Sequence, residues 1–375
     1  MAIAHDTPMA GWRGRRVNTL RLWSARAIDP ISLDALNSGD FATALEEANR
    51  ARIITRVLYP SDATPAGQEL RLRQEFFFTS ASLQDILRRH WQQYGEVGSL
   101  PAKVAIQLND THPAIAVAEL MRLLMDTYDL TWAAAWETTR AVTSYTNHTL
   151  LPEALESWPL HLFERLLPRH MQIIYGINEK LIGDAQRHPD ASPEFLSAVS
   201  LIDESNGRRV RMGQLAFVGS RRINGVSALH TALMSKTVFK SLDRLYPGRI
   251  NNKTNGITPR RWLLGINPDL AALLQEAAGG SFLEDMGALE RLRPLADDGA
   301  FRARFATIKR ANKERLARYI RAETGIDVDS RAMFDVQIKR IHEYKRQLLN
   351  ILETVALYET MRAHPERDRA PRSKI

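Results

Sequence analysis

The sequence predicts an α/β protein built on a mostly parallel sheet, and three observations carry that prediction. Short apolar strand patterns recur at residues 103 to 108, 140 to 145 and 214 to 218; a polar turn follows each; and each turn leads into a segment of helical periodicity. Strand, turn and helix in that order make half of a βαβ unit. Three in succession imply parallel strands with helices on both faces.

Taken in chain order, residues 40 to 56 read as a helix capped by Asp40, and its mixture of Glu46, Glu47, Arg50 and Arg52 suits an exposed or interface face. The strand at 103 to 108 puts Val104, Ile106 and Leu108 on one side, and a five-residue turn separates it from a helix over 113 to 124. The second strand, 140 to 145, leads to a helix expected to start near Pro152. Residues 157 to 187 read as long helical structure whose stripe of Leu160, Leu162, Phe163, Leu166, Leu167, Ile173 and Ile174 is core. The third strand, 214 to 218, precedes a helix from about Val226. A domain boundary is expected between 250 and 300, where Asn255-Gly256 makes a turn and Thr258-Pro259 opens a helix, with Gly279-Gly280 and Asp297-Asp298-Gly299 as further punctuation. Beyond it come a strand over 333 to 338 and a helix over 341 to 363. The last seven residues supply only the approach to a returning strand, so the second domain is expected to be cut off.

Composition bounds the chemistry. At 375 residues the chain has length for two or three domains, and 44% hydrophobic with 25% charged residues is ordinary for a globular protein. The absence of cysteine excludes disulfides, thiolate zinc sites and a cysteine nucleophile. No apolar run approaches the ~20 residues of a membrane span and the start lacks the build of a signal peptide, so a cytoplasmic location is expected. The net charge of +8 lies wholly in residues 301 to 375, which hold 18 basic and 10 acidic side chains. Such an end suits a phosphorylated ligand, a solvated face or nucleic acid; no groove-reading motif or aromatic stacking platform accompanies it, which disfavours the last.

Four motifs carry chemical content. Asn109-Asp110-Thr111-His112-Pro113 follows a strand at the edge where open α/β sheets bind ligands. It reads equally as a helix start capped by Thr111, with Asp110 bonding nearby backbone. His148 occupies the equivalent turn after the next strand, so parallel topology brings both to one edge; metal-ligand spacings are absent and no metal is expected. Lys253-Thr254-Asn255-Gly256-Ile257-Thr258-Pro259-Arg260-Arg261-Trp262 is a turn and helix start that leaves Trp262 and its cations without a structural reason. In the fourth, Lys339, Arg340, Lys345 and Arg346 crowd the expected first turns of a helix with His342, against the macrodipole, and a bound phosphate would reverse the sign of that cost. No P-loop and no Gly-x-Gly-x-x-Gly motif occurs.

The runs Arg21-Leu22-Trp23-Ser24-Ala25, Arg56-Val57-Leu58-Tyr59-Pro60 and Glu69-Leu70-Arg71-Leu72-Arg73-Gln74-Glu75 add to these motifs, as do Tyr145 to Thr149 with Leu151-Pro152-Glu153-Ala154-Leu155-Glu156, and Lys339 to Leu349. Together they closely resemble the α-glucan (glycogen and starch) phosphorylase family, nearly from Asp6 to Arg372. The resemblance implies a two-domain glycosyltransferase-B-like architecture of Rossmann-like parallel sheets facing a cleft. It divides the chain into 1–255, the later part of a glucan-binding catalytic domain; 256–332, a helical connection; and 333–375, the opening of a cofactor domain. It implies phosphorolysis of terminal α-1,4-glucosyl units of glycogen, starch or maltodextrin to glucose 1-phosphate, by a cytoplasmic homodimer that uses pyridoxal 5'-phosphate through its phosphate group.

By the same resemblance, His148 and Asn255 contact the glucosyl unit, and Asp110 and His112 organise the wall around His148. Tyr344 also reaches the sugar. Arg340 and Lys345 hold the substrate phosphate, Lys339 the cofactor phosphate, and Trp262 packs near the cofactor. Asp62 belongs to a loop that gates the cleft, with Arg71 behind it. Family members extend beyond this chain at both ends, and the lysine that forms the cofactor's Schiff base is expected in the downstream part, so none of the ten lysines here takes that role. The isolated chain is expected to be an incomplete, inactive piece; the alternative is a remnant that holds glucan or associates with a subunit without turnover.

Overall fold

The computed structural model describes residues 1–151, 155–205 and 207–375, which form two compact units, Met1–Asn255 and Gly256–Ile375. The helix expected to begin near Pro152 falls outside the described residues.

The first unit opens with an antiparallel hairpin of β1 (Ala2–Ala10) and β2 (Val17–Ala25), followed by short helices and the 30-residue helix Pro65–Tyr94. Thr64 caps that helix by accepting from the Gly67 N–H at 3.1 Å, Pro65 fills its first position, and Gly95 ends it at φ 72°. Asp40 caps a first short helix, Phe41–Ala44, through the Thr43 N–H, and Glu46–Arg56 follows with its charged side chains in solvent, as expected. The central sheet consists of β3 (Ile106–Asn109), β4 (Thr143–Thr146), and two strands further along the chain. Between these come a small antiparallel sheet of β5 (Ser157–Pro159), β6 (Ile202–Asp203) and β7 (Arg209–Arg211), and then β8 (Ile223–Gly225) and β9 (Ile250–Asn252). The central order is β3-β4-β8-β9 and every pair is parallel.

The parallel sheet agrees with expectation, but its strands do not all lie where periodicity placed them. Residues 140 to 142 end the helix Trp132–Val142, and β4 starts at Thr143. The run at 214 to 218 is no strand: it lies in the helix Met212–Val218, with Leu215, Ala216, Phe217 and Val218 all buried. A short segment buried on every side shows the same continuous apolar run as strand or helix. The true third strand is β8, and its helix begins at Ala228 under a Ser227 cap. Residues 157 to 187 divide into β5 and the helices Leu160–Leu166 and Pro168–Gln186, because Pro168 cannot continue the preceding turn. Leu160, Leu162, Phe163, Leu167, Ile173 and Ile174 are buried as the stripe predicts.

The core gathers Leu83 and Leu87 of Pro65–Tyr94, Leu120, Met121 and Leu124 of the helix Ala116–Asp126, and Ile173, Ile177 and Leu181 of Pro168–Gln186. At its centre Glu119, fully buried, accepts from Ser80 Oγ (2.6 Å), Arg122 Nε (2.7 Å) and His170 Nε2 (2.6 Å), so one carboxylate ties three helices together. Burial alone would raise its pKa; those hydrogen bonds outweigh it and hold the group down at about 2.

The second unit contains helical turns, the helix Gly299–Thr324 and a βαβ element: β10 (Met333–Asp335), the helix Gln347–Ala363 and β11 (Arg372–Lys374). Two expectations are corrected here. The chain does return, since β11 pairs in parallel with β10 and Lys374 Nζ bridges to Asp335 at 2.7 Å. The helix starts at Gln347, not 341, so Lys339, Arg340 and Lys345 lie in the segment before it and only Arg346 stands at its cap, at φ 56°. The cost of cations at the positive end of the helix dipole therefore falls on Arg346 at the cap and Lys345 beside it. Leu348, Leu349, Ile351, Leu352 and Val355 are exposed in this chain.

Candidate active site

The carboxyl edge of the parallel sheet is where the polar turns meet. Register pairs Asn109 with Thr146, and the chain continues on both strands into the two turns. The Asp110 N–H donates to the Thr146 carbonyl at 3.0 Å, with Asp110 in the left-handed region at φ 69°, a conformation that Asp tolerates better than bulky residues. Its Oδ1 accepts from the Thr111 N–H at 2.8 Å. Thr111 does not cap the helix, whose first residue is Ala116 and whose N-cap position is Ile115 with no side-chain bond. The polar-turn reading of this motif therefore describes it better than the capped start.

His148, exposed, places Nε2 2.7 Å from Asn109 Oδ1, which fixes a proton on that nitrogen and joins the first two strand ends. The next strand end contributes a residue that sequence reasoning missed. His230 Nε2 lies 3.0 Å from Asn147 Oδ1, and Asn147 in turn donates to the Tyr145 hydroxyl at 3.0 Å. Burial, then the neighbouring His148, lowers the His230 pKa, with Asp110 pulling the other way. A Cβ at Gly225 would stand 2.4 Å from Thr231 Oγ1, so a glycine is what lets β8 run this close to the helix that carries His230. From the fourth strand, the Asn255 N–H donates to the Val226 carbonyl at 3.0 Å, which holds Asn255 at the same edge.

Beside His112 the edge is extended by a second cluster. The Tyr59 ring packs 4.6 Å from the His112 ring, and the Arg71 guanidinium lies 5.5 Å from the centroid of the same Tyr59 ring. Tyr59 is itself left-handed at φ 56°, anchored by donation from its N–H to Gln74 Oε1 at 2.9 Å. Arg71 binds Asp62 at 2.6 Å, so Tyr59 links His112 to Arg71 and, through Arg71, to Asp62. Behind Arg71 stand two carboxyls, Glu75 buried and Glu156 half-buried. Glu75 is 6% exposed, and no donor bonds either of its oxygens; burial, then the nearby Glu156, raises its pKa well above neutral. It is therefore protonated at pH 7, and Arg71 Nε, buried without an acceptor, stands 4.0 Å from Glu156 Oε1. Glu75 and Glu156 were legible only as letters inside longer motifs; the one available signal was a carboxyl set directly before Phe76-Phe77-Phe78.

In the second unit, the remaining expected residues divide. Lys339 and Arg340 lie in the irregular segment ahead of the turn Glu343–Lys345, which carries Tyr344 and Lys345. Lys345 Nζ donates to the Tyr344 hydroxyl and sits 4.0 Å from its ring centroid. That bond, then the charge of Lys345, and to a lesser degree Arg340 and Lys339, lowers the Tyr344 pKa. Four positively charged side chains thus occupy one short stretch with Glu343 as its sole acid. Trp262 is exposed on the helical turn Arg260–Gly265. Among the described residues no group of three or more His, Asp and Glu side chains is arranged to hold a metal ion, and no helix is long and apolar enough to cross a membrane.

Comparison with known proteins places the chain in a family. The carbohydrate phosphorylase family model matches residues 1–375. The chain is 48% identical over 371 residues to the glycogen phosphorylase of Haemophilus influenzae, covering 99% of this chain and 45% of that protein. It is 47% identical to that of Pasteurella multocida over 371 residues, with the same coverage, and 44% identical over 381 residues to the muscle form of Oryctolagus cuniculus, covering 100% of this chain and 45% of that protein. The chain thus spans about 45% of the length of the curated relatives it matches. With the family model matched from the first residue to the last, the chain belongs to the carbohydrate phosphorylase family.

Proposed function

We propose that this chain is the part of an α-1,4-glucan phosphorylase that binds the terminal glucosyl unit and contributes phosphate-binding cations. The observation that carries the reading is the joining of Asn109 and His148 at the sheet edge, beside Asp110, His230 and Asn255, within a chain of this family. Such an edge supplies directional donors and acceptors to sugar hydroxyls at a topological position where open sheets bind ligands. The domain assignment follows: 1–255 as the later part of the glucan-binding domain, 256–332 as connection and 333–375 as the opening of a glycosyltransferase-B-like cofactor domain.

Phosphorolysis moves a glucosyl unit from the glucan oxygen to phosphate. As the bond breaks, positive charge develops at the anomeric carbon, and a phosphate held close by stabilises it. Arg340 and Lys345 hold that substrate phosphate. His148, its Nε2 proton directed at Asn109, presents the opposite ring nitrogen as acceptor for a sugar hydroxyl, and Asn255 offers an amide. Asp110 and His112 shape the wall, Tyr344 bonds the sugar, and Asp62 with Arg71 restrains the Tyr59 loop beside it.

Pyridoxal 5'-phosphate is the cofactor this family reading requires. The concentration of cations at 339 to 346, strong enough to draw down the Tyr344 hydroxyl, fits a phosphate group; Lys339 would hold it and Trp262 would pack beside it. When bound, the cofactor supplies a phosphate that exchanges a proton with the substrate phosphate. A cytoplasmic homodimer acting on glycogen, starch or maltodextrin is the corresponding assembly. Because the chain spans about 45% of its relatives, turnover is expected only with the remaining length present.

The test is phosphate-dependent release of glucose 1-phosphate from maltodextrin. The 375-residue chain alone is expected to give negligible product, and a protein carrying this chain at family length is expected to turn over and to lose ~100-fold or more on Arg340→Ala. Turnover by the short chain alone refutes the division of labour, and an inactive family-length protein refutes the phosphorylase reading.

A further inference from the structure

Away from the sheet edge, the first unit has a small, partly open cavity between the helices Trp132–Val142 and Pro168–Gln186 and the residues leading into β9. Its polar lining is Trp136, Arg140, Lys180, Asp184, Tyr246 and Arg249, and about 10 Å³ of space is open to the centre of a water-sized body. That is room for one small occupant.

The charges around it do not balance. Asp184 is the sole carboxylate of the lining, and it is already engaged: Oδ1 accepts from Arg187 at 2.5 Å, and Oδ2 from the Tyr246 hydroxyl at 3.1 Å and Lys180 at 3.5 Å. Arg140 makes no side-chain hydrogen bond or ion pair among the described residues; its guanidinium lies 5.9 Å over the Trp136 ring, and its Nε is buried without an acceptor. Arg249 reaches only the carbonyls of Val218 and Ser220, at 3.4 and 3.5 Å, and stacks 4.1 Å over Tyr246. Burial, and after it the charge of Arg140, pushes Arg249 down to about 10, with Tyr246 and Asp184 pulling the other way less strongly. Trp136 is 6% exposed, and its Nε1–H also lacks an acceptor. Two half-buried guanidiniums without a direct ion pair among the described residues and two orphaned buried N–H donors therefore line one small space, and buried donors of this kind are ordinarily paired.

We infer that this cavity binds one monoatomic anion, chloride under ordinary conditions, held by Trp136 Nε1–H and the guanidinium groups of Arg140 and Arg249. A water would satisfy an N–H but carries no charge to offset two cations. Phosphate or sulfate carries the charge but needs more than the space of one water. The site stands on geometry alone and is independent of the phosphorylase reading.

The experiment is thermal unfolding of the 375-residue chain in sodium chloride, bromide, phosphate or sulfate, each balanced with sodium gluconate to constant ionic strength. Chloride and bromide are expected to raise the midpoint saturably, by roughly 3–6 °C at ten times the dissociation constant, and phosphate and sulfate are not. Arg140→Met should abolish the halide dependence and, having removed one of two like charges, be no less stable than the parent in gluconate. Trp136→Phe keeps the ring and removes the donor, so the apparent halide affinity should fall roughly tenfold. Equal midpoints in chloride and gluconate, an equal response to sulfate, or an unchanged halide response in both variants would overturn the assignment.

Discussion

Replacing Glu75 by Gln is expected to stabilise the protein at neutral pH, against the usual direction of core substitutions. Glu75 is almost fully buried beside Glu156, and burial followed by that neighbouring carboxyl raises its pKa above neutral. In the unfolded chain the same group titrates near its ordinary value of 4.5. Folding at pH 7 must therefore take up a proton, and for any folded pKa above 7 the cost is set by the distance from 4.5 to 7, about 3 kcal/mol at roughly 1.4 kcal/mol per pH unit. The sign follows from the raised pKa: stability is greatest below the unfolded value and falls as pH rises from there toward the folded value. Glutamine imitates the protonated acid, with an N–H toward Glu156, and needs no proton. One amide N–H is left over, which returns about 1 kcal/mol. The net gain at pH 7 is about 2 kcal/mol, or roughly 4–8 °C in midpoint for a unit of this size. Thermal unfolding of parent and Glu75→Gln at pH 7 and pH 4.5 measures it, with the advantage shrinking to nothing or reversing at the lower pH. A variant that is less stable than the parent at pH 7, with the difference unchanged at pH 4.5, would show that Glu75 is ionised in the fold and would refute its protonation.

Two further outcomes are expected. Glu119→Gln removes a buried carboxylate whose pKa is held at about 2 against an ordinary 4.5, so it should cost about 3 kcal/mol at pH 7; because the folded pKa is depressed, the parent's advantage should persist above pH 4.5 and disappear as pH falls toward 2, read by denaturant unfolding, and a flat profile across that range would contradict it. The exposed Leu348, Ile351, Leu352 and Val355 of the helix Gln347–Ala363 should make the 375-residue chain bind a hydrophobic dye and self-associate in light scattering, with Leu348→Lys and Ile351→Lys reducing both; a monomer that binds no dye would count against it.

The sequence by itself determined the fold class, because an apolar strand, a polar turn and a helical stripe are local patterns that survive in any tertiary setting. It located the turns at Asn109 to Pro113 and around His148, and through parallel topology it put them on one edge, where Asn109 and His148 meet. The family was legible in the motif runs for a similar reason, since those letters are local. The segments that failed were those whose state is settled by burial from outside. The run at 214 to 218 is apolar throughout, and only its enclosure as the helix Met212–Val218 distinguishes it from a strand. The strand β9 is too short to show a period, and the hairpin β1/β2 alternates too weakly to announce itself. The cations at 339 to 346 have helical company on their downstream side, yet the helix starts only at Gln347, beyond all of them.

Within the candidate site the division is sharper. Asp110, His112 and His148 stand beside strand ends and could be found by pattern. His230 reaches the edge from a helix through Asn147, and Glu75 meets Glu156 across 81 positions of sequence. Neither has a local signal, because what makes each notable is the company of residues distant in the chain. A protonated glutamate, two guanidiniums without a counter-charge and a carboxylate tying three helices are consequences of desolvation and distance. Those quantities exist only once the chain has folded.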